Sequence, residues 1–327
     1  MKVLIADFLE DASVERPVLE GLADLVVARA RHESDLAPHL ADADAVIVFH
    51  DIERLTDATF SKLARCKVVV RAGVGYNNVD LPAAGARGIA VCNVPDYGTE
   101  EVADHSILLL LAVARFLKVQ DDSMRRGEWD YLTGVDTPRL RGKTLGLIGC
   151  GRIGSATALR AKAFGLDVVF YDPNVPPGLE KALGVRREYR LEPLLEQAHF
   201  VSLHCYLDDR SRHLIDGAAL ARMRRGSILI NTARGPVVDQ EALIAALESG
   251  HLMGAGIDVF EREPLDDDRL RSHPRVILTP HSAFYSVEGF VELRTKAAEE
   301  VRRVLQGEPP RNLVNRSTLV EPRIAMP

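Results

Sequence analysis

The chain has 327 residues, 46% hydrophobic and 27% charged, with a formal net charge of −6. That balance describes an ordinary globular protein and excludes a nucleic-acid footprint, which needs clustered surplus Lys and Arg to neutralise phosphates. The length exceeds one typical core of about 100–200 residues, so two domains are expected.

The N-terminus, MKVLIADFLED, places Asp7 after only four apolar residues, too short for a signal-peptide core. The longest apolar run, ILLLLAVA at 107–114, is far below the ~20 residues of a membrane span. The expectation is a chain neither exported nor inserted. Cys66, Cys92, Cys150 and Cys205 have neither paired nor metal-ligand spacing and lie in or beside apolar runs. They read as reduced thiols of a cytoplasmic protein, with no metal site. Arg222, Arg224 and Arg225 read as a solvated helix end.

Short apolar runs recur through the first third: VLIA from Val3, LVVA from Leu25, AVIVF from Ala45, KVVV from Lys67 and IAVC from Ile89. Polar, helix-compatible segments separate them, which predicts βα units and a parallel sheet. VLIADFLED has no glycine where a pyrophosphate would approach the backbone, so this first sheet is not expected to hold a nucleotide. A second series opens with TEEVADHSILLLLAVARFLK, where Thr99 is a candidate helix cap and Glu100 and Glu101 suit the first turn. Strands are predicted at TLGLI (144), DVVFY (167), FVSLH (200), SILIN (227), GAGID (254) and VILT (276). VEGFVELRTKAAEEVRRVLQG is next, a long amphipathic helix stopped at Gly307. The residues beyond that helix are too few to form a domain alone, and packing back on the first sheet is the economical solution. The predicted fold is α/β with two doubly wound parallel sheets. A Rossmann dinucleotide domain at 99–283 is inserted into a discontinuous substrate domain at 1–98 and 284–327.

The dinucleotide reading rests on LGLIGCGRIGSA, in which Gly149, Gly151 and Gly154 fit G-x-G-x-x-G between a strand and a helix. Asp172 ends the next strand, 18 residues beyond Gly154 and close to the ~20 expected for the acid that bonds the ribose hydroxyls. A carboxylate there repels a 2′-phosphate, which favours NAD over NADP. RAGVGYNNVD carries a second G-x-G without a third glycine at the right spacing. It reads as a turn after a strand, with Asn77 and Asn78 tolerating unusual φ.

Three later strand ends each present one chemical type: Arg234 in NTARGP, Glu263 in DVFEREP and His281 in TPHSAFYS. Glu261 competes with Glu263, and His273 with His281. Beside a nicotinamide, the set describes reduction of a 2-oxo acid. His281 supplies the carbonyl-oxygen proton, Glu263 fixes and charges the imidazole, and Arg234 clamps the carboxylate and polarises the carbonyl.

The pattern GCGRIG…YDP…NTARG…DVFEREP…TPHSA resembles the D-isomer-specific 2-hydroxyacid dehydrogenases along nearly the whole chain, and within them the C-terminal-binding-protein branch. The resemblance implies a flavodoxin-like substrate domain, NAD(H), a homodimer, and Arg234, Glu263 and His281 as the catalytic set. It also implies Thr99, Arg152, Ile153, Cys205, Thr232 and Asp258 around the cofactor, with Asp258 near the nicotinamide carboxamide. Arg71, Gly73 and Val74 then fall where the substrate carboxylate is held. Phe284 stands where that branch commonly has Trp, and Tyr206 where many members have Pro. Two alternatives are open: an NAD(H)-sensing binding protein, and a phosphoglycerate-type dehydrogenase, whose phosphate calls for an added basic pocket.

Overall fold

A computed structural model describes residues 1–326, and in it each of the five early apolar runs forms a strand. These are β1 (Lys2–Ile5), β2 (Asp24–Val27), β3 (Ala45–Val48), β4 (Val68–Arg71) and β5 (Ala90–Asn93). All pair in parallel in the order β2-β1-β3-β4-β5, the flavodoxin-like doubly wound arrangement. Both faces of such a sheet are covered, which is why β3 reads as four consecutive buried apolar residues instead of an alternation. The long helix Val287–Leu305 packs on β3 and β4 within the same unit. The C-terminal segment then covers the β5 edge. Val314 N–H donates to the Val91 carbonyl at 2.8 Å, and the fully buried Asn315 accepts from Val91 N–H at 2.9 Å and donates to the Ile89 carbonyl at 3.0 Å.

The second sheet contains β6 (Thr144–Ile148), β7 (Asp167–Tyr171), β8 (Arg186–Glu188), β9 (Phe200–Leu203), β10 (Ser227–Asn231), β11 (Leu252–Ile257) and β12 (Val276–Leu278). The order is β12-β11-β10-β9-β6-β7-β8, all parallel, with the strand order reversing between β6 and β9 as in a Rossmann sheet. Adjacent residues serve opposite faces: Val168 and Phe170 enter one core and Val169 the other. The chain divides into two compact units, Met1–Gly98 with Ser286–Pro327, and Thr99–Tyr285. Among the described residues, no helix is long and apolar enough to cross a membrane.

Three local expectations change. Strand β8, with the sequence RRE, is a polar three-residue edge strand that no apolar run announces. Thr99 is the first residue of the helix Thr99–Ala114 instead of its cap. The segment expected to continue that helix breaks at Phe116, a buried residue at φ 54°, and resumes as Leu117–Arg125.

Within the first unit, helix Glu15–Leu19 is tied to the long helix by a bidentate ion pair. Arg294 Nε and Nη2 each donate to a Glu15 carboxylate oxygen at 2.7 Å, and Glu15 is fully buried. Removing one partner of such a pair strands a buried charge. Glu15→Ala is expected to lower the stability measured by equilibrium urea unfolding by ~3–5 kcal/mol. A loss below ~1 kcal/mol, the range of exposed pairs, would refute this role.

Candidate active site

At the carboxyl end of β6, sterics choose glycine. Gly149 sits at φ 94°, and a Cβ there would lie 2.6 Å from the His204 carbonyl carbon, while one on Gly154 would lie 2.3 Å from the Gly149 oxygen. A Cβ on Gly151 would meet no atom within 4 Å, so that position is open to an approaching group. The helix Arg152–Ala163 begins beside it with Gly151 as its cap and no side-chain cap. Its first-turn N–H groups, including those of Arg152, Ile153 and Gly154, are therefore available for an anion at the positive end of the dipole. Asp172 lies just past β7 and is held against the same turn, accepting from Cys150 N–H and Asn174 N–H, each at 2.8 Å. These residues fit a dinucleotide.

The walls around the turn are inert. Burial pushes the Cys150 and Cys205 thiols up to about 11, so both stay protonated at neutral pH. His204 donates or accepts through Nε2 at 2.9 Å from Ser202 Oγ, while its buried Nδ1 meets no hydrogen-bond partner. Burial takes its ring down to about 3, which keeps it neutral. Thr232 is anchored by its hydroxyl, 2.8 Å from Ser106 Oγ.

The three strand-end residues gather in the same unit. His281 Nδ1 lies 2.7 Å from Glu263 Oε2, and Glu263 Oε1 accepts from Phe260 N–H at 3.0 Å. Burial raises the Glu263 carboxyl, but the His281 hydrogen bond and ring charge, with the Phe260 N–H and the Arg234 charge, outweigh it and hold the carboxyl below the usual glutamate value. The competing residues have other partners: Glu261 is paired with His213, and His273 Nδ1 accepts from Arg275 N–H at 3.2 Å. The Arg234 guanidinium donates to the Ala233 carbonyl at 2.6 Å. Phe284 stands edge-on to the His281 ring, 6.4 Å between centroids.

Asp258 has a further task. It is 1% exposed, its Oδ1 accepts from Thr279 Oγ1 (2.6 Å) and Ser282 N–H (2.9 Å), its Oδ2 from Ala283 N–H (3.1 Å), and its carbonyl from His281 N–H (2.8 Å). The residue expected beside the cofactor thus also organises the loop that carries His281. His105 Nε2, 3.0 Å from Thr279 Oγ1, extends the network, and Arg187 secures the Asp172 loop by donating to the carbonyls of Asp172 and Val175 at 2.8 and 3.0 Å. Sequence reasoning missed both, because neither sits in a local pattern.

In the other unit, Arg71 ends β4 and donates to Asn78 Oδ1 at 3.3 Å and to the Ala72 carbonyl at 3.0 Å. Its guanidinium occupies the place of a side chain on Gly73, where φ is 146° and a Cβ would lie 1.7 Å from Arg71 Nη1. Val74, one-third exposed, holds Asn93 through its carbonyl, which accepts from Asn93 Nδ2 at 2.7 Å. Neither Asn77 nor Asn78 takes a positive φ. Asn78 serves as a hydrogen-bonding link instead.

Residues 107–283 match the family model of the D-isomer specific 2-hydroxyacid dehydrogenase NAD binding domain. The chain is 36% identical over 99% of its length to D-3-phosphoglycerate dehydrogenase of Methanocaldococcus jannaschii, of which it covers 61%. It is 35% identical over 93% of its length to C-terminal-binding protein 1 of Caenorhabditis elegans, of which it covers 43%. The chain thus spans between two-fifths and two-thirds of the length of these curated relatives. Among solved structures, D-lactate dehydrogenase from Aquifex aeolicus, complexed with NAD and lactic acid, superposes with a TM-score of 0.85 at 30% identity, covering 94% of this chain and 96% of that one.

The neutral His204 has a thermodynamic signature. Its proton affinity is ordinary, near 6.5, in the unfolded chain and depressed to about 3 in the folded one, so the unfolded chain binds the extra proton between those values. Stability is expected to fall by up to ~1.4 kcal/mol per pH unit below about 6.5 on this account. Urea unfolding of His204→Asn and the parent chain at several pH values tests it. The stability difference between the two should shift in favour of the variant as pH falls from 7 to 5, and a constant difference would contradict it.

Proposed function

We propose that this chain, which belongs to the D-isomer-specific 2-hydroxyacid dehydrogenase family, interconverts a small 2-oxo acid and its 2-hydroxy acid using NAD(H). The observation that carries the reading is the 2.7 Å contact of His281 Nδ1 with Glu263, with the Arg234 charge acting on the same carboxylate. An ionised carboxylate only accepts, so a ring proton is held on Nδ1 and Nε2 is the nitrogen that gives a proton to the substrate oxygen or takes it back. The glycine turn would hold the pyrophosphate of bound NAD(H), which would supply the hydride chemistry at the substrate carbon. Arg234 offers a permanent planar cation to the carboxylate and carbonyl. Arg71, with Gly73 and Val74, holds the substrate carboxylate. Asp172 accepts ribose hydroxyls and repels a 2′-phosphate, which supports a higher kcat/KM with NADH than with NADPH. The four unpaired thiols, three of them buried, suit the reducing cytoplasm.

NADH oxidation with a panel of 2-oxo acids tests the reaction. His281→Ala should lower kcat by ~10²-fold or more, the scale of general acid catalysis, with NADH binding measured by fluorescence nearly unchanged. His273→Ala should behave like the parent chain. Glu263→Gln keeps the shape but removes the negative charge that retains the proton, so the alkaline limit of reduction should move to lower pH. Equal activity of the two histidine variants would sink the assignment. NADH binding without turnover of any 2-oxo acid would favour a cofactor-sensing binding protein.

The reading includes a homodimer. In the dinucleotide unit, Trp129, Tyr131 and Val135 are 89%, 85% and 72% exposed on one short segment, a composition that suits the core of an interface with a second copy. Sedimentation equilibrium should give twice the chain mass, and Trp129→Glu with Tyr131→Glu should shift it toward one. A monomeric parent chain would overturn this.

A further inference from the structure

At the carboxyl edge of the five-stranded sheet stands an aromatic cluster that the hydride and proton chemistry does not use. Phe8 follows β1 and is 40% exposed. Its ring stacks on Phe290 at 6.4 Å and 20°, and meets Phe49 at 5.9 Å and His50 at 6.1 Å edge-on. Phe49 and His50 follow β3, which pairs with β1 on one side and β4 on the other. Since Val48 lies opposite Arg71, Phe49 and His50 continue alongside the Arg71 turn. Asn78 joins the two, accepting from Arg71 Nε and donating to the Phe49 and Ile52 carbonyls at 3.0 and 3.1 Å.

The wall is built rigidly. Asp7, immediately before Phe8, is fully buried at φ 77°, a left-handed conformation that is strained for a residue other than glycine. Its carboxylate accepts from Phe49 N–H at 2.6 Å and Ile52 N–H at 2.9 Å, locking the ends of β1 and β3 together. Two strand spacings, about 10 Å, separate the strand that leads to Phe8 from the one that ends in Arg71.

We infer that this edge is the side-chain subsite of an aryl 2-oxo acid, with the carboxylate on Arg71 and the substrate ring against Phe8, Phe290 and His50. The inference rests on the reading that Arg71 holds the substrate carboxylate. A ring offered to such a wall gains edge-to-face and stacking contacts beyond its buried area, which an aliphatic chain of equal size does not.

The test compares kcat/KM for phenylpyruvate, pyruvate, glyoxylate and a phosphorylated 3-hydroxy-2-oxo acid. Burying a phenyl group is expected to favour phenylpyruvate over glyoxylate by about 10- to 100-fold. Phe8→Ala should collapse that ratio about tenfold or more, chiefly through KM, with the melting temperature and NADH affinity near the parent values. Phe8→Tyr, which keeps the ring, should retain the ratio. A preference for glyoxylate, pyruvate or the phosphorylated acid, or a ratio unmoved in Phe8→Ala, overturns the subsite and leaves the dehydrogenase reading standing. No turnover of any 2-oxo acid overturns that reading and the subsite with it.

Discussion

The candidate catalytic unit depends on one buried carboxylate. Asp258 lies one residue past β11, almost wholly out of water, where an unpaired charge would be costly. Three donors meet its side chain, and all come from residues 279–283. That segment therefore has little freedom to move without stranding the charge. His281 is held within it at φ 52°, a conformation a bulky residue adopts only where its surroundings enforce it. The Glu263 loop is secured in the same manner by the Phe260 N–H, so both members of the His281–Glu263 pair rest on main chain instead of on side-chain packing alone.

The two sheets show how one architecture is turned to different uses. Both are wholly parallel and covered on both faces, which leaves the carboxyl edges for chemistry. In each, the chain turns through positive φ just beyond the first strand, at Gly149 in one and Asp7 in the other. Glycine brings the backbone close to the β9 loop and leaves space at Gly151. Asp7 instead inserts a carboxylate between the β1 and β3 ends, filling the place where a phosphate would need N–H donors. The absence of a glycine in VLIADFLED was thus informative for a physical reason.

Much of this was legible in the sequence because it is local. Apolar runs give strands whose two faces are buried, and glycine spacing gives the turn. Arg234, Glu263 and His281 each follow a predicted strand, while the competing Glu261 and His273 have partners elsewhere, in His213 and the Arg275 N–H. What escaped is nonlocal. His105 reaches Thr279 across 174 positions, and Asn78, in the turn beyond β4, finds the Phe49 and Ile52 carbonyls beyond β3. Phe116 breaks a helix with no glycine or proline to announce it.

Strand β8 is the clearest case of a polar segment given structure by its neighbours. RRE has no apolar signal, yet Arg187 within it has a side chain only 7% exposed. Its guanidinium lies over the Phe170 and Tyr189 rings at 5.5 and 5.0 Å and donates to the carbonyls of Asp172, Val175 and Pro176. Those bonds fix the loop in which Asp172 accepts from the glycine turn. They also commit both terminal nitrogens to main chain, so this cation braces the acidic residue without turning toward a ribose phosphate. The strand that sequence reasoning could not see is what keeps the Asp172 carboxylate in place beside the glycine turn.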